Sequence, residues 1–304
     1  MHILVSGSSG LIGSALIPAL AAEGHRATRL VRSMPVSRRE DRILWDPTAS
    51  ILDGPSLEGF DAVVHLAGEN IAGGRWTIER KARIRDSRVN GTRLLAERLA
   101  ELKQPPKVLI SISAVGYYGD RGNETLTEAS PPGSNFLAGV CREWEAATEP
   151  AAQRGIRVAV LRCGVVLSPA GGALAKMLFP FRMGVGGIVG SGKQYFSWIC
   201  IDDVVRVILH ALSADSLRGP INTVAPKPVT NAEFTRALGQ ALGRPTIVPM
   251  PAFAARMAFG EMADELLLAS ARAAPVKLLA SGFVFRHAEI ESALNHLLQG
   301  AKAA

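Results

Sequence analysis

Three glycines near the N-terminus constrain the fold more than any other feature of this sequence. They stand in the segment Gly7-Ser-Ser-Gly10-Leu-Ile-Gly13, which follows the apolar run His2 to Ser6 and opens a helical pattern from Leu11 to Ala22. In such a segment the first glycine permits a tight turn, the second lets backbone approach a diphosphate, and the third permits close helix–strand packing. The helix start offers N–H groups and the positive end of its dipole to phosphates. This arrangement predicts a dinucleotide-binding turn.

Strand-like apolar runs alternate with helical stretches over the first two-thirds of the chain. Further strands are predicted at 26–32, 61–67, 107–111, 157–161 and 220–224, and helices at 78–102, 135–152 and from about 202. Nearly continuous apolar strands separated by helices are typical of a parallel sheet covered on both faces. The fold class predicted is therefore α/β, a Rossmann-type doubly wound parallel sheet in residues 1–225. Residues 226–304 predict a smaller, mainly helical C-terminal lobe, and residues 170–200, rich in glycine from 184 to 192, are expected to contribute to the substrate cleft.

The end of the second predicted strand distinguishes between NAD and NADP. NAD sites usually place an Asp or Glu there, about 20 residues past the glycines, to bind the ribose 2′-hydroxyl. No acidic residue lies between Arg26 and Ser37, and the strand ends in Arg32-Ser33, followed by Arg38-Arg39. A guanidinium can bind a 2′-phosphate through two hydrogen bonds. We therefore expect NADP(H), with Arg32 and Ser33 on its 2′-phosphate; the alternative is that Arg32 is a solvated surface residue.

Composition argues against several classes of protein. The chain has 304 residues, 48% of them hydrophobic, and it contains no run of about 18 apolar residues, so no membrane span is expected. The N-terminus lacks the features of a signal peptide, which predicts a cytoplasmic location. The net charge is +7, but the basic residues are spread along the chain, so a nucleic-acid partner is not expected. The three cysteines are far apart in sequence and predict neither a metal site nor a disulfide.

The chain resembles the extended short-chain dehydrogenase/reductase superfamily. The matching segments are Gly7–Gly13, His65–Gly68, Asn90–Thr92, the strand to Ser113, and Leu161–Gly164. Within that superfamily it resembles the atypical "epimerase family protein" group, which is NAD-dependent epimerase/dehydratase-like, in Leu66–Ile71, Arg75-Trp76, Ser113–Gly119, Cys141–Glu145, Ser197–Asp203 and a C-terminal segment from about Pro249 to Leu298. Besides Arg32 and Ser33, the cofactor contacts expected are Gly7, Ser9, Gly10, Leu11, Ile12, Gly13, Leu66, Ala67, Gly68 and Arg162.

The superfamily's proton-transfer pair, Tyr-x-x-x-Lys on one helix face, is absent. Tyr117, Tyr118 and Tyr195 are followed four residues later by Arg, Gly and Ile. In the helix where the resemblance places the pair, Phe136 or Leu137 stands at the tyrosine position and Val140 or Cys141 at the lysine position. If the protein is an enzyme, its acid and base groups differ from those of the superfamily.

Four residues are candidate catalytic groups: Ser113, Tyr117, Tyr118 and Glu69. Ser113 fits the superfamily serine if one residue is inserted before Tyr117; otherwise Ala114 stands there. Either tyrosine could donate a proton at this strand end, although Tyr118 could instead pack under the loop. Glu69 could act as a base or pair with Arg75. We interpret the Cys141 thiol as a core residue rather than a nucleophile.

The expected substrate contacts are Asn70, Arg75, Trp76, Arg142 and Trp198. Arg75 and Trp76 offer a cation beside an aromatic ring, while Arg142 could bind an anion or pair with Glu145. The first hypothesis is an NADP(H)-dependent oxidoreductase or epimerase-like enzyme acting on a small carbonyl or nucleotide-linked compound. The alternative is a catalytically degenerate NADP(H)-binding sensor or interaction protein. A homodimer is a candidate assembly.

Overall fold

The structure, a computed structural model, describes residues 1–33 and 41–299. Arg38 and Arg39, noted above beside the expected phosphate site, lie outside the described residues. The strands are β1 His2–Ser6, β2 Arg26–Val31, β3 Arg42–Asp46, β4 Ile51–Leu52, β5 Ala62–His65, β6 Val108–Ala114, β7 Thr125–Leu126, β8 Arg157–Cys163, β9 Val165–Leu167, β10 Tyr195–Phe196, β11 Trp198–Cys200, β12 Gly219–Thr223, β13 Val229–Thr230 and β14 Arg272–Ala273. The α-helices are α1 Leu11–Ala22, α2 Ile78–Ala100, α3 Phe136–Ala146, α4 Glu149–Gln153, α5 Gly172–Arg182, α6 Ile201–Ser213, α7 Asn231–Leu242, α8 Ala252–Phe259, α9 Val276–Ala280 and α10 Ile290–Gln299.

The main sheet has the strand order β12-β8-β6-β5-β1-β2-β3-β4. Its neighbours pair in parallel except β3 and β4, which are antiparallel. The chain runs outward from β1 through β2 and β3, and then returns to β5 on the other side of β1. This reversal places a crevice between the carboxyl ends of β1 and β5, where ligands bind in open α/β sheets. The predicted Rossmann-type α/β fold class is confirmed.

Helices cover both faces of this sheet. On one face Leu16 and Leu20 of α1 join Ile208 of α6 in a buried cluster with Val5 and Val64. On the other face α2 packs in a second cluster that contains Val63 and Leu109. Adjacent residues of β5 thus enter opposite cores, because side chains alternate along a strand. This two-sided burial explains why the strands are nearly continuous apolar runs.

The C-terminal helices share a core with α5 and with the two-stranded sheet of β9 and β11. Phe234 of α7 and Leu294 of α10 lie in one buried cluster with Leu174 of α5 and Trp198 of β11. Strand β14 also pairs in parallel with β7, in the loop after β6. The last quarter of the chain therefore packs directly against the elements that border the crevice. Within the described residues no helix is both long and apolar enough to cross a bilayer.

The observed elements differ from the predicted ones in several places, two of which affect the packing against the main sheet. The single helix expected over 135–152 is two helices, α3 and α4, and Pro150 lies in the first turn of α4. Proline lacks the N–H that would continue a preceding helix, so a break before it is favourable. The edge strands β3 and β4 were not predicted; they add Trp45 and Leu52 to the core beneath α2.

Candidate functional site

The glycine-rich turn connects β1 to α1, and two of its glycines are required by close backbone contacts. Gly7 has a φ of +66°, and a Cβ there would lie 2.7 Å from the carbonyl carbon of Leu66. A Cβ on Gly13 would lie 2.3 Å from the carbonyl oxygen of Gly7. Both distances are far below van der Waals contact, so these positions admit only glycine without backbone movement. The turn is folded as a dinucleotide-binding turn requires.

The start of α1 is open toward solvent. Gly10 is its N-cap, is exposed, and among the described residues no side chain caps the helix. The first-turn N–H groups of Leu11, Ile12 and Gly13 are therefore available to an anion. A Cβ on Gly10 would lie 3.3 Å from the oxygen of Gly7, and would also occupy the outer surface of the turn.

The other expected cofactor residues lie along the same edge of the sheet. Arg32 and Ser33 directly follow β2 and are exposed, while Leu66, Ala67 and Gly68 directly follow β5. Because β2, β1 and β5 are adjacent and parallel, these segments emerge side by side with the glycine turn between them. Arg32, the open start of α1 and the exposed Gly68 therefore lie side by side along this edge of the sheet.

A buried polar chain supports this edge from below. Ser6 Oγ accepts hydrogen bonds from the N–H groups of Leu66 and Ala67, at 3.1 and 3.3 Å, and lies 2.7 Å from His65 Nδ1. His65 Nε2 lies 2.9 Å from Thr92 Oγ1, which also accepts from Trp144 Nε1 at 2.9 Å. Complete burial lowers the pKa of His65 to about 4, so the ring is neutral. A neutral ring accepts at Nδ1 and donates at Nε2, which satisfies the whole chain and fixes the segment after β5.

A second buried network lies at the ends of β6 and β8. Arg162 donates from Nε and Nη2 to the two carboxylate oxygens of Glu145, both at 2.8 Å, and from Nη1 to the hydroxyl of Tyr118 at 3.0 Å. Ser113 donates to the same carboxylate at 2.8 Å. Burial alone would lower the pKa of Arg162, but the bonds and charge of Glu145 raise it. Arg162 was expected to contact the cofactor; its side chain is instead only 4% exposed and occupied by these partners, so we assign it to the support of the site.

The two adjacent tyrosines differ in environment. Tyr118 is fully buried, with its hydroxyl 2.6 Å from Asn222 Oδ1 and 3.0 Å from the carbonyl oxygen of Thr127. Burial raises its pKa. These contacts match the alternative in which Tyr118 packs under the loop rather than donating a proton to a ligand. Tyr117 is partly exposed, and the Arg162 guanidinium carbon lies 3.4 Å from its ring centroid. Of the two, Tyr117 is the tyrosine that a ligand could reach.

Helix α3 presents an apolar residue and a thiol where the superfamily pair was expected. A Cβ on Gly116 would lie 3.4 Å from Leu137 Cβ and 4.0 Å from Cys141 Sγ, so both residues face the segment after β6. Leu137 and Cys141 are four residues apart, which is the spacing of the superfamily pair. Burial, and then the charge of Glu145, raises the pKa of the Cys141 thiol to about 12. The thiol is thus protonated near neutral pH and cannot replace an ammonium group.

Glu69, Asn70, Arg75 and Trp76 lie in the segment between β5 and α2. The carboxylate of Glu69 pairs with Arg80 Nη1 at 2.8 Å rather than with Arg75. Arg75 donates to the carbonyl of Met257 in α8, which connects this segment to the C-terminal lobe. Trp76 donates to the carbonyl of Ile71 at 2.8 Å, and its ring meets that of Phe136 edge-on at 5.4 Å.

Two expected substrate contacts lie away from this segment. Arg142 is exposed on α3, and its expected partner Glu145 binds Arg162 instead. Trp198 is fully buried in the core shared with the C-terminal helices, where its Nε1 donates to the carbonyl of Lys227 at 3.2 Å. A ring in that position packs against the C-terminal helices and has no surface for a ligand, which corrects the expectation from the sequence.

A cavity of about 710 Å³ lies between the loop after β6 and the C-terminal lobe. Its lining includes Asp120, Asn135, Arg256 and Glu265. The carboxylate of Glu265 accepts from the backbone N–H groups of Phe136 and Leu137, at 3.1 and 3.0 Å, and so caps α3. Sequence reasoning missed Glu265, because it is more than 120 positions from α3 and no local pattern connects them.

Within the described residues, Cys200, Asp202 and His287 bring potential metal-binding atoms within 4.8 Å of one another. No ligand spacing in the sequence predicted this group, because His287 comes from a distant segment. Burial raises the pKa of Cys200 to about 12, and Asp202 is already 2.7 Å from His296 Nε2. These contacts account for the group as a junction between α6 and the C-terminal segment.

Comparison with known proteins agrees with this architecture. Residues 3–223 match the model of the NAD dependent epimerase/dehydratase family, and residues 250–297 match a domain of unknown function, DUF1731. The epimerase family protein Mb2239 of Mycobacterium bovis is 46% identical over 294 residues, which cover 97% of this chain and 96% of that protein. The human epimerase family protein SDR39U1 is 38% identical over 98% of this chain and 100% of its own length.

Solved structures show the same relationship. The crystal structure of human SDR39U1 (isoform 2) with NADPH superposes with a TM-score of 0.90 at 37% identity, and covers 98% of this chain and 99% of that one. The resemblance inferred from the sequence is confirmed. This chain belongs to the NAD dependent epimerase/dehydratase family and, within it, groups with the proteins called epimerase family protein.

Proposed function

We propose that the protein binds NADP(H) along the carboxyl edge of its sheet and acts as an oxidoreductase or epimerase-like enzyme on a small carbonyl or nucleotide-linked compound. The observation that carries the proposal is the turn at Gly7–Gly13, where a Cβ on Gly13 would lie 2.3 Å from the backbone and the helix start is open. Hydride chemistry would be supplied by the bound nicotinamide, and the protein's task would be to orient it and to move a proton.

The residues available to bind the cofactor's phosphates lead us to propose NADP(H) rather than NAD(H). The N–H groups of α1 would hold the diphosphate, and Arg32 with Ser33 would hold the 2′-phosphate. The sequence has no acidic residue between Arg26 and Ser37, and this supports NADP(H), because NAD sites usually place a carboxylate at the end of this strand. The human relative solved with NADPH supports the same choice.

Tyr117 is the group we propose for proton transfer. It is partly exposed at the end of β6, whereas Tyr118 is fully buried and Glu69 is paired with Arg80. The Arg162 guanidinium carbon lies 3.4 Å from the centroid of the Tyr117 ring, a contact that holds the ring at the end of the strand. Ser113 is buried and donates to Glu145, so its role in the proposal is to hold this carboxylate rather than to contact a ligand.

A titration tests the cofactor proposal. Calorimetry should give NADPH a dissociation constant at least about tenfold lower than that of NADH, because a bidentate guanidinium–phosphate contact contributes about 1.5–3 kcal/mol. Arg32→Ala should remove most of this preference without weakening NADH. Arg26→Ala is a matched control, since Arg26 lies on the same strand at its opposite end. Equal affinities for the two nucleotides, or no binding, would contradict the proposal.

The second candidate function, a catalytically degenerate NADP(H)-binding sensor, is favoured by one observation. Leu137 and the protonated thiol of Cys141 face the segment after β6 at the spacing of the superfamily's tyrosine and lysine. Turnover of NADPH against a panel of aldehydes, ketones and nucleotide sugars separates the two. An enzyme should lose about 100-fold or more in kcat with Tyr117→Phe while NADPH affinity is unchanged. A sensor should bind NADPH and turn over none of the panel.

A further inference from the structure

Arg88, on the inner face of α2, brings a guanidinium to the carboxyl end of β5. A Cβ on Gly68 would lie 3.4 Å from the guanidinium carbon and 3.6 Å from Nη2. Gly68 is exposed at the sheet edge, directly after the segment held by Ser6 and His65. The cation therefore borders the surface over which we propose that the cofactor passes, although no motif in the sequence singled it out.

The protein holds this guanidinium in one place. Nη1 donates to the carbonyl of Ile84 at 3.0 Å, and the guanidinium carbon lies 5.0 Å from the centroid of the Trp144 ring. Trp144 is itself anchored to Thr92 in the chain that includes His65. A stacked and hydrogen-bonded arginine loses little entropy when it binds a ligand, so the group is preorganised.

The charge of Arg88 is not neutralised by a carboxylate among the described residues. Glu69 is the carboxylate whose charge acts on Arg88, and it is paired with Arg80 at 2.8 Å. Within the described part of the chain, Arg88 makes one hydrogen bond, to the carbonyl of Ile84. Burial lowers the pKa of Arg88. Arg88 is half-buried, so its donors other than the one bound to Ile84 remain open to a polar or anionic partner.

The order of the strands indicates which part of the cofactor would be the partner of Arg88. The expected 2′-phosphate site follows β2 and the diphosphate site follows β1, while β5 and β6 lie on the other side of β1. A dinucleotide laid over these strand ends therefore extends its nicotinamide half over β5 and β6. Arg88 stands there, between Gly68 of one strand end and Cys141, which faces the other. Cys141 supplies no charge at this point, since its thiol is protonated.

We propose that Arg88 binds the hydroxyls of the nicotinamide ribose. In this proposal the cation beside the ribose comes from α2, whereas the superfamily lysine would come from α3. This inference rests on the proposed binding of NADP(H). It assigns to Arg88 two tasks: to fix the ribose, and thereby the nicotinamide, above Gly68, and to place a positive charge near the end of β6, where Tyr117 stands.

Three nucleotides that differ by one group at a time test the proposal by calorimetry. They are NADPH, 2′-phospho-ADP-ribose, which lacks only the nicotinamide, and 2′-phospho-ADP, which lacks the second ribose as well. Arg88→Met should weaken NADPH and 2′-phospho-ADP-ribose about tenfold and leave 2′-phospho-ADP within about twofold. Equal weakening of all three, which would mean a contact with the diphosphate or damage to the fold, overturns the assignment, and so does no weakening at all.

Control variants separate this result from other failures. Arg93→Met removes an exposed arginine from the same helix and should change no affinity. Arg88→Lys keeps a cation and should recover most of the affinity for the two ribose-containing nucleotides; failure to do so argues against a charged contact. Thermal unfolding of each variant without nucleotide shows whether loss of the Trp144 contact disturbs the fold. If the unsubstituted protein binds none of the three nucleotides, the proposed function is contradicted. If Arg88→Met binds all three as tightly as the unsubstituted protein does, only the role of Arg88 is contradicted.

Discussion

The carboxylate of Glu145 on α3 receives both the Nε–H and the Nη2–H of Arg162 on β8, each at 2.8 Å. This two-pronged ion pair is nearly enclosed, with side-chain exposures of 15% and 4%. Ser113 donates a hydrogen bond to the carboxylate of this pair, and its guanidinium donates one to the hydroxyl of Tyr118. The guanidinium also lies over the ring of Tyr117. Three of the four candidate catalytic residues are therefore positioned by one ion pair.

Breaking this pair should be costly. Arg162→Met leaves the buried carboxylate of Glu145 without its cation, which destabilises a protein by about 3–5 kcal/mol. Urea unfolding followed by circular dichroism measures the change. Arg98→Ala, which removes an exposed pair with Glu101 on the surface of α2, is the control and should cost about 1 kcal/mol or less. A loss below about 1 kcal/mol in Arg162→Met would mean that the pair does not hold the site.

Two glycines of the turn should respond differently to the same substitution. Gly13→Ala places a methyl group 2.3 Å from the oxygen of Gly7, so the backbone must shift, at a cost of about 1–3 kcal/mol in unfolding free energy. In Gly10→Ala the nearest atom is 3.3 Å away, so the fold should tolerate the methyl group while affinity for NADPH falls about tenfold or more. Melting temperature and calorimetric titration separate the two effects. Equal losses of stability would contradict this distinction.

Stability should fall in mild acid because of His65. Its pKa is about 4 in the folded protein against 6.5 in an exposed chain, so the unfolded state takes up a proton at higher pH than the folded state does. The free energy of unfolding from this residue is therefore fully present above pH 6.5 and decreases as the pH falls toward 4, by about 3 kcal/mol in total. His65→Gln, which does not titrate, should be less stable at pH 7 but show a flatter pH dependence over that interval. An unchanged slope would contradict the assignment.

The adjacent tyrosines provide a further comparison. Tyr118→Phe leaves Asn222 and Arg162 without a buried partner and should cost about 1–3 kcal/mol of unfolding free energy. Tyr117→Phe should cost about 0.5 kcal/mol or less, because Tyr117 is partly exposed and its contact with Arg162 is through the ring. Parallel urea titrations of the two variants measure the difference. The reverse order would remove Tyr117 as the accessible phenol.

Local patterns in the sequence were sufficient for the fold class and for the position of the glycine turn at the edge of the sheet. The glycine turn, the alternation of strands and helices, and the residues after β2 and β5 all depend on short-range spacing, which the structure reproduces. Contacts between distant segments could not be predicted in this way. The pairing of Arg162 with Glu145, the burial of Trp198 under helices of the C-terminal lobe, and the approach of Arg88 to Gly68 each join elements that only the packed sheet brings together.

The choice between Phe136 and Leu137 at the tyrosine position shows the same limit. Both residues are apolar, and helical spacing alone gives no reference point for which of them faces the sheet. The contact of Leu137 and Cys141 with Gly116 supplies that reference point.

The cap that Glu265 places on α3 connects the two segments that match family models, residues 3–223 and 250–297. This connection has a consequence for their evolution. The two bonds that Glu265 accepts end on the backbone of Phe136 and Leu137, in the helix that borders the cofactor edge. Exchanging the C-terminal segment for that of a distant homologue, or deleting it, would remove the acceptor of these two N–H groups and leave only the cap that Asn135 places on Ala138. The two segments are therefore expected to evolve as one unit, and chimeras between family members should work only when the acid and the helix start come from the same parent.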